Sequence, residues 1–235
     1  MTQSRLAKIS IRSFAVMDAL DRALAIVNDD LAEGHLSPRE HLKTQRWVQD
    51  ISYMQAQLRS IDATLRPHIE SEIGQPLDPD LLATSLFQPS TKNVFSEMRV
   101  HYASQEGYGA LLTDLELLSE LAKELALLGD AAISLVALHY LWSDSLQGVG
   151  RLTQRRANLV SNETLAQLCD AWGLYKYRIH FDPPTTSRSE IEHIKGSLVE
   201  AVSGAAYVNS DFDGIAAIVA LLDRRVSSQS GRTQA

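Results

Sequence analysis

Gly196-Ser197-Leu198-Val199-Glu200-Ala201-Val202-Ser203-Gly204-Ala205-Ala206-Tyr207 puts one acid, Glu200, inside a long run of small and apolar residues. The small side chains at Gly196, Ser203, Gly204, Ala205 and Ala206 allow a second helix to approach closely. A second run of the same kind, Leu128-Gly129-Asp130-Ala131-Ala132, places one acid in an otherwise apolar helix. A carboxylate in such surroundings is costly to bury unless it is hydrogen-bonded, paired or on a metal. Two isolated acids on close-packed helices are candidates to share a divalent cation. The competing reading is that each caps a neighbouring helix or pairs with Lys or Arg, and spacing alone leaves both open.

Outward from these runs, helical periodicity dominates. Val16, Leu20, Leu24, Val27 and Leu31 recur on one face of a first helix, closed by Gly34 and Pro38. Ser37, Pro38 and Glu40 form a capping-box start for a second helix. Trp47, Ile51, Met54, Leu58, Ile61 and Leu65 step along it as a heptad-like seam that Pro67 stops or kinks. Residues 1–74 therefore predict a helical hairpin extension, packed on itself or its neighbour, or offered to a partner. Gly74, Pro76 and Pro79 mark a boundary. Helices are expected near 81–87, 92–105, 111–126, 128–143, 151–159, 162–172, 189–207 and 212–225, with a loop at Pro183, Pro184 and Thr185. A main domain over 75–225 and a small, polar, disordered tail over 226–235 complete the expected order. The fold class is all-α.

Composition narrows the function. Hydrophobic residues make up 45% of the 235-residue chain, enough for a packed core, and the net charge is −7. An acidic chain is not the usual footprint of a nucleic-acid binder, so such contact would need a local basic patch or bound metal. Arg151, Arg155 and Arg156, with Lys176 and Arg178 later, are the one basic concentration; it reads equally as phosphate contact or as a solvated face. The single Cys169 excludes an internal disulfide and a zinc cluster. The first residues lack a signal peptide's apolar core, and Ala131–Trp142 is too short to span a bilayer, so a cytoplasmic protein with no membrane role is expected.

Four segments carry a family resemblance. The run RANLVSNETLA at 156–166 resembles the central helix–turn–helix of ribonuclease III, and LGDAAI at 128–133 resembles that family's signature around its metal-binding aspartate. GSLVEAVSGAAYVNSDFDG at 196–214 is similar to its third motif, and LLATSLFQPS at 81–90 to its opening helix. They stand in family order over residues 78–225; residues 1–74 lie outside the resemblance, and no double-stranded RNA-binding domain is expected after it. The resemblance implies a ribonuclease III-like helical endonuclease domain. It also implies a dimer whose acids hold Mg²⁺ or Mn²⁺ to activate water against double-stranded RNA.

Within the resemblance, Asp130 stands at the signature aspartate and Glu200 at the third motif's glutamate, and these two are the candidate catalytic and metal residues. Where the family has its other acids, this chain has Ala126 and Ser197, with Lys123 and Val149 at two further acid positions. Lys123 is expected to reach Asp130 or Glu200 and replace the metal as counter-charge. Glu120, Glu124 and His193 are the neighbours that could rebuild a site. Leu127 takes the place of the family's interface aromatic and, with Leu128, Leu135 and Leu138, predicts a two-fold apolar seam. Arg151, Arg155 and Arg156 are the candidate RNA contacts. These substitutions predict an inactive, dimeric scaffold that binds RNA or protein. The alternatives are an active nuclease with a rearranged site, and a subunit that pairs with an intact relative. The acidic balance argues against a ribosomal protein.

Overall fold

The computed structural model describes residues 15–34, 36–103, 105, 107–142 and 148–232. Residues 1–14 of the expected extension and 233–235 of the expected tail lie outside the described residues. Helix α1 (Val16–Glu33) ends at Gly34, whose φ of 70° is open to glycine at little cost. Helix α2 (Pro38–Ser60) begins with the capping box: Ser37 N donates to Glu40 Oε2 at 2.9 Å, and Glu40 N to Ser37 Oγ at 3.3 Å. A π turn (Ile61–Leu65) then leads into α3 (Arg66–Ile73). Pro67 therefore does not stop the helix. The Arg66 N–H reaches back to the Ile61 carbonyl, and this wider turn just before the ring accommodates a residue with no N–H of its own.

Beyond Gly74 come α4 (Pro79–Thr84), a 3-10 turn (Pro89–Thr91) and α5 (Lys92–His101). The expected helices at 111–126 and 128–143 are one helix, α6 (Tyr108–Leu141), because Gly129 lies inside it at a helix crossing rather than at a break. Helices α7 (Val149–Leu159) and α8 (Asn162–Trp172) follow, then a 3-10 turn (Leu174–Tyr177). The helical stretch α9 (Arg188–Arg232) is two helices joined at a kink, where Asp211 has φ 55° and ψ −142°. That kink falls between the expected helices at 189–207 and 212–225. Helix α9 continues to Arg232, where a polar composition had predicted a disordered tail from residue 226: helical backbone bonding propagates from a well-packed upstream segment. Among the described residues the one β feature is a single parallel bridge, Phe87 with Ile179.

The class is all-α, as its periodicity requires, and α6 and α9 form its centre. An alanine Cβ at Gly129 would lie 1.9 Å from the Glu200 carbonyl oxygen, and one at Gly204 would lie 2.0 Å from that of Leu125. Each glycine thus gives the other helix's backbone the space that a side chain would fill. Helix α8 packs along α9, and α5 along α6. Over Arg188–Ser227, α9 is long and apolar enough to cross a membrane by length and composition, but half of its most apolar window is buried in this core.

The hairpin seam shares that core. Trp47, Ile51 and Met54 are fully buried, and they belong to the same apolar cluster as Phe95, Leu112, Trp172 and Val199. Polar ties reinforce the junction: Val16 N donates to Asp80 Oδ1 at 3.1 Å, the Tyr102 hydroxyl donates to Asp30 Oδ2 at 3.0 Å, and Arg46 pairs with Glu97. Gly74, with φ 66°, ends a helix without dividing the core. Placing a methyl at either crossing glycine would drive it into backbone of the facing helix. Gly129→Ala or Gly204→Ala is expected to lower unfolding free energy by at least about 2 kcal/mol in urea titration. Gly109→Ala, whose Cβ meets nothing within 4 Å, is the matched control and should be neutral or slightly stabilising.

Candidate functional site

The α6–α9 crossing fixes where the two acids go. Asp130 follows Gly129 directly and is exposed; Glu200 offers its carbonyl to that glycine, and its side chain is half-buried. Burial pushes the Glu200 carboxyl above the usual carboxylate range, and the neighbouring negative charge of Asp130 pushes it further. The two acids are therefore within electrostatic reach of each other, with no cation among the causes acting on Glu200.

The expected counter-charge is elsewhere. Lys123 Nζ donates to Glu120 at 3.1 Å, one turn earlier on its own helix, and Lys92 Nζ lies 4.0 Å from the same carboxylate. Lys123 thus does not pair with Asp130 or Glu200. It sits two turns before Asp130, where a helical neighbour is nearer than the crossing.

Beside the acids lies a cleft of about 770 Å³, walled by Ser119, Ala122, Lys123 and Ala126 of α6 and by Glu190, His193, Ser197 and Ala201 of α9. The segments 85–89 and 182–187 close its other side. Main-chain bonds hold that outer wall: Ile179 N donates to Leu86 O and Gln88 N to Ile179 O, both at 2.9 Å. Ser90 Oγ donates to Asp182 Oδ2 at 2.9 Å and accepts from Phe181 N at 2.9 Å. Ala126 and Ser197, which the resemblance implied to stand in place of acids, thus line one cleft together with Lys123 and His193. Asp130 and Glu200 are not among its lining residues.

The expected basic concentration is divided. Arg151 and Arg155 are exposed one turn apart on α7, Arg156 beside them is half-buried, and α7 packs on α6 and α9. Arg178 belongs instead to the cleft, its guanidinium 3.7 Å above the Tyr175 ring, and Lys176 lies against Tyr177. Of the seam leucines, Leu127 is 73% and Leu135 56% exposed, whereas Leu128 packs within the chain against Leu125, Ala201 and Val208. Trp142, 71% exposed, stands just beyond the end of α6. Sequence reading missed Ser119 and Thr186 as cleft residues. Nothing in their local pattern differs from an ordinary helix or loop serine or threonine, and only the folded chain brings them together.

Comparison with known proteins now has a geometry to attach to. Residues 123–211, which span the acid pair and most of the cleft, match the ribonuclease III domain family. This segment carries a ribonuclease III-like domain. Ribonuclease 3 of Francisella tularensis subsp. tularensis strain FSC 198 is 32% identical over 98 residues, 41% of this chain and 42% of that protein. The same enzyme of strain SCHU S4 gives the same figures. The matched segment thus spans less than half the length of these relatives. No solved structure matches the chain.

Ribonuclease III enzymes use divalent metal, and the donor set here can be tested against that requirement. Among the described residues no group of three or more His, Cys, Asp or Glu is placed to hold an ion. Mg²⁺ asks for near-octahedral oxygen coordination. Asp130 and Glu200 supply two carboxylates, and Ala126 and Ser197 add none in their neighbourhood. These residues do not fit a protein-built divalent site.

The same electrostatics gives a pH prediction. A carboxyl whose folded pKa is raised favours folding when protonated and opposes it when charged, so its effect on stability turns unfavourable as pH rises from 4.5 through the folded value. Glu200→Gln should therefore raise the thermal midpoint at pH 7, and the gain should vanish well below pH 4.5, where Glu200 is protonated in both states. Differential scanning fluorimetry across that range checks it; a variant less stable at pH 7 would contradict it.

Proposed function

We propose that this protein is a degenerate, catalytically inactive ribonuclease III-like chain that serves as a dimeric scaffold for RNA or protein. The observation that carries this reading is the replacement of acids around the remaining pair: alanine at 126, serine at 197 and lysine at 123. Hydrolysis of a phosphodiester in this family needs metal-activated water and charge neutralisation at the phosphate. Two carboxylates that already repel each other, one of them half-buried, are a poor holder for that ion. On this reading the protein uses no cofactor.

A dimer is supported by the exposed Leu127 and Leu135 of α6 and the exposed Trp142 just beyond its end. The partner is a second copy or, in the alternative, an intact relative whose complete site would supply catalysis. Double-stranded RNA would be met by Arg151, Arg155 and Arg156 on α7, reading backbone and shape rather than base edges. A cytoplasmic location suits a protein of this kind. The second reading is an active endoribonuclease using Mg²⁺ or Mn²⁺. It is favoured by one observation, the proximity of Asp130 and Glu200, because one or two carboxylates can hold Mg²⁺ when substrate phosphate completes the shell.

Incubation with long double-stranded RNA in Mg²⁺ and then Mn²⁺ separates the readings. The wild type is expected to leave the RNA intact, and the double substitution Ala126→Glu, Ser197→Asp to gain a Mg²⁺-dependent rise in thermal midpoint. Wild-type cleavage lost on Asp130→Ala would instead establish the nuclease. The seam has its own check. Leu127→Asp puts a charge at this exposed apolar position, and sedimentation should shift from dimer to monomer with the fold intact.

A further inference from the structure

The cleft between α6 and α9 is lined by cationic side chains. Arg178 lines it, fixed over the Tyr175 ring, and its Nη1 has no hydrogen-bond acceptor although that atom is buried. Burial lowers the Arg178 pKa, the direction expected when a guanidinium is drawn out of water. An arginine N–H left without an acceptor away from water is costly, because a planar five-donor group must forgo bonds that water would give. Ser119, 1% exposed on the facing wall, likewise has a hydroxyl with no partner. Lys123 stands at the same wall, 54% exposed at its side chain and tethered only to Glu120 on the helix surface.

The two carboxylates that do line the cleft are engaged with its rim. Asp182 accepts from Ser90 Oγ at 2.9 Å and lies 3.8 Å from His180 Nδ1, which holds the 182–187 segment in place. Glu190 accepts from Thr185 Oγ1 at 2.5 Å across the same loop. Between those rims the lining residues include Arg178, Lys123, His193, Ser119, Thr186 and Ser197. These donor residues come from α6, α9 and the 178–187 segment, and cationic and hydroxyl donors of this kind form charge-assisted bonds with phosphate oxygens. The volume of about 770 Å³ is in the range of small-ligand sites and exceeds what one phosphate fills.

We infer that this cleft binds a phosphate group directly, through Arg178, Lys123 and the wall hydroxyls, without a metal ion. The phosphate belongs either to the terminal monoester of a nucleotide-sized molecule or to the diester of an RNA backbone. The site stands whether or not the protein cleaves RNA, since none of its donors is a carboxylate of the acid pair. It exchanges the indirect grip of acid, metal and phosphate for a direct grip of cation on phosphate.

Calorimetric titration of the full chain in EDTA tests it, with adenosine monophosphate, adenosine, and a short duplex RNA carrying 5′-hydroxyl ends as probes. Saturable binding of adenosine monophosphate but not adenosine assigns a terminal phosphate. Saturation by the duplex alone assigns the backbone diester. In either case Arg178→Gln and Lys123→Gln should each weaken binding by about tenfold, the loss of one charge-assisted bond. Lys123→Gln alters an exposed side chain and so keeps the test open if Arg178→Gln unfolds. Glu120→Gln, which releases Lys123, should tighten binding. No saturable binding by either phosphate probe, binding that requires Mg²⁺, equal affinity for adenosine, or affinity unchanged in both cation variants would overturn the proposal. RNA cleavage is read separately, so failure here leaves the scaffold reading standing.

Discussion

Gly129 and Gly204 face the backbone of the opposing helix at under 3 Å from where any Cβ would sit, and much of the molecule is arranged by that fact. Two helices this close cannot slide or rotate past each other, so the register of α6 against α9 is set by steric exclusion rather than by a preference among packings. The side chains that α6 and α9 contribute to the candidate site inherit their positions from that register. Asp130 follows one crossing residue, and Glu200 supplies the carbonyl that the crossing excludes a Cβ from. Ala126 and Ser197 are brought to the same cleft by the same contact.

The crossing also sets the electrostatics of the acid pair. Asp130 and Glu200 repel each other, and the half-buried one is further disfavoured by leaving water. In a complete carboxylate set that repulsion is offset by a bound cation. Here Lys123 of α6 is held by Glu120 at 3.1 Å on the helix surface, so it does not offset the repulsion. A charge at a given place in sequence acts on whatever neighbour its rotamer can reach, and for a helical lysine the nearest carboxylate is one turn away on the same helix. Among the described residues no lysine or arginine forms an ion pair with Asp130 or Glu200, and Lys123 and Arg178 line the adjoining cleft.

The N-terminal hairpin shows a related point about domains. Composition marks a boundary at Gly74 to Pro79, and the chain does turn there, yet Trp47 and Ile51 are buried in the same cluster as Trp172 and Val199. A break in helix is a local event, decided by glycine at positive φ and by prolines that cannot donate. A division of the core is a global one, and nothing local can announce it. The apolar seam of α2 was legible as a seam; that it faces the rest of this chain was decided only by folding.

What the sequence determined by itself was the element type, the order of the motifs and the chemistry missing from them. Period-3.6 apolar spacing, the Ser37 capping box and the small-residue runs around Gly129 and Gly204 are local properties, and local rules read them. So are alanine at 126 and serine at 197, since the absence of a carboxylate needs no structure to be known. The continuity of α6 through 126–128, its crossing of α9 at Gly129 and Gly204, and the separation of Arg178 from Arg151 and Arg155 were decided by tertiary structure. Each depends on which residues distant in the chain come within a few ångströms. That is set by close packing at the α6–α9 crossing and by the main-chain bonds pinning 179 to 86 and 88.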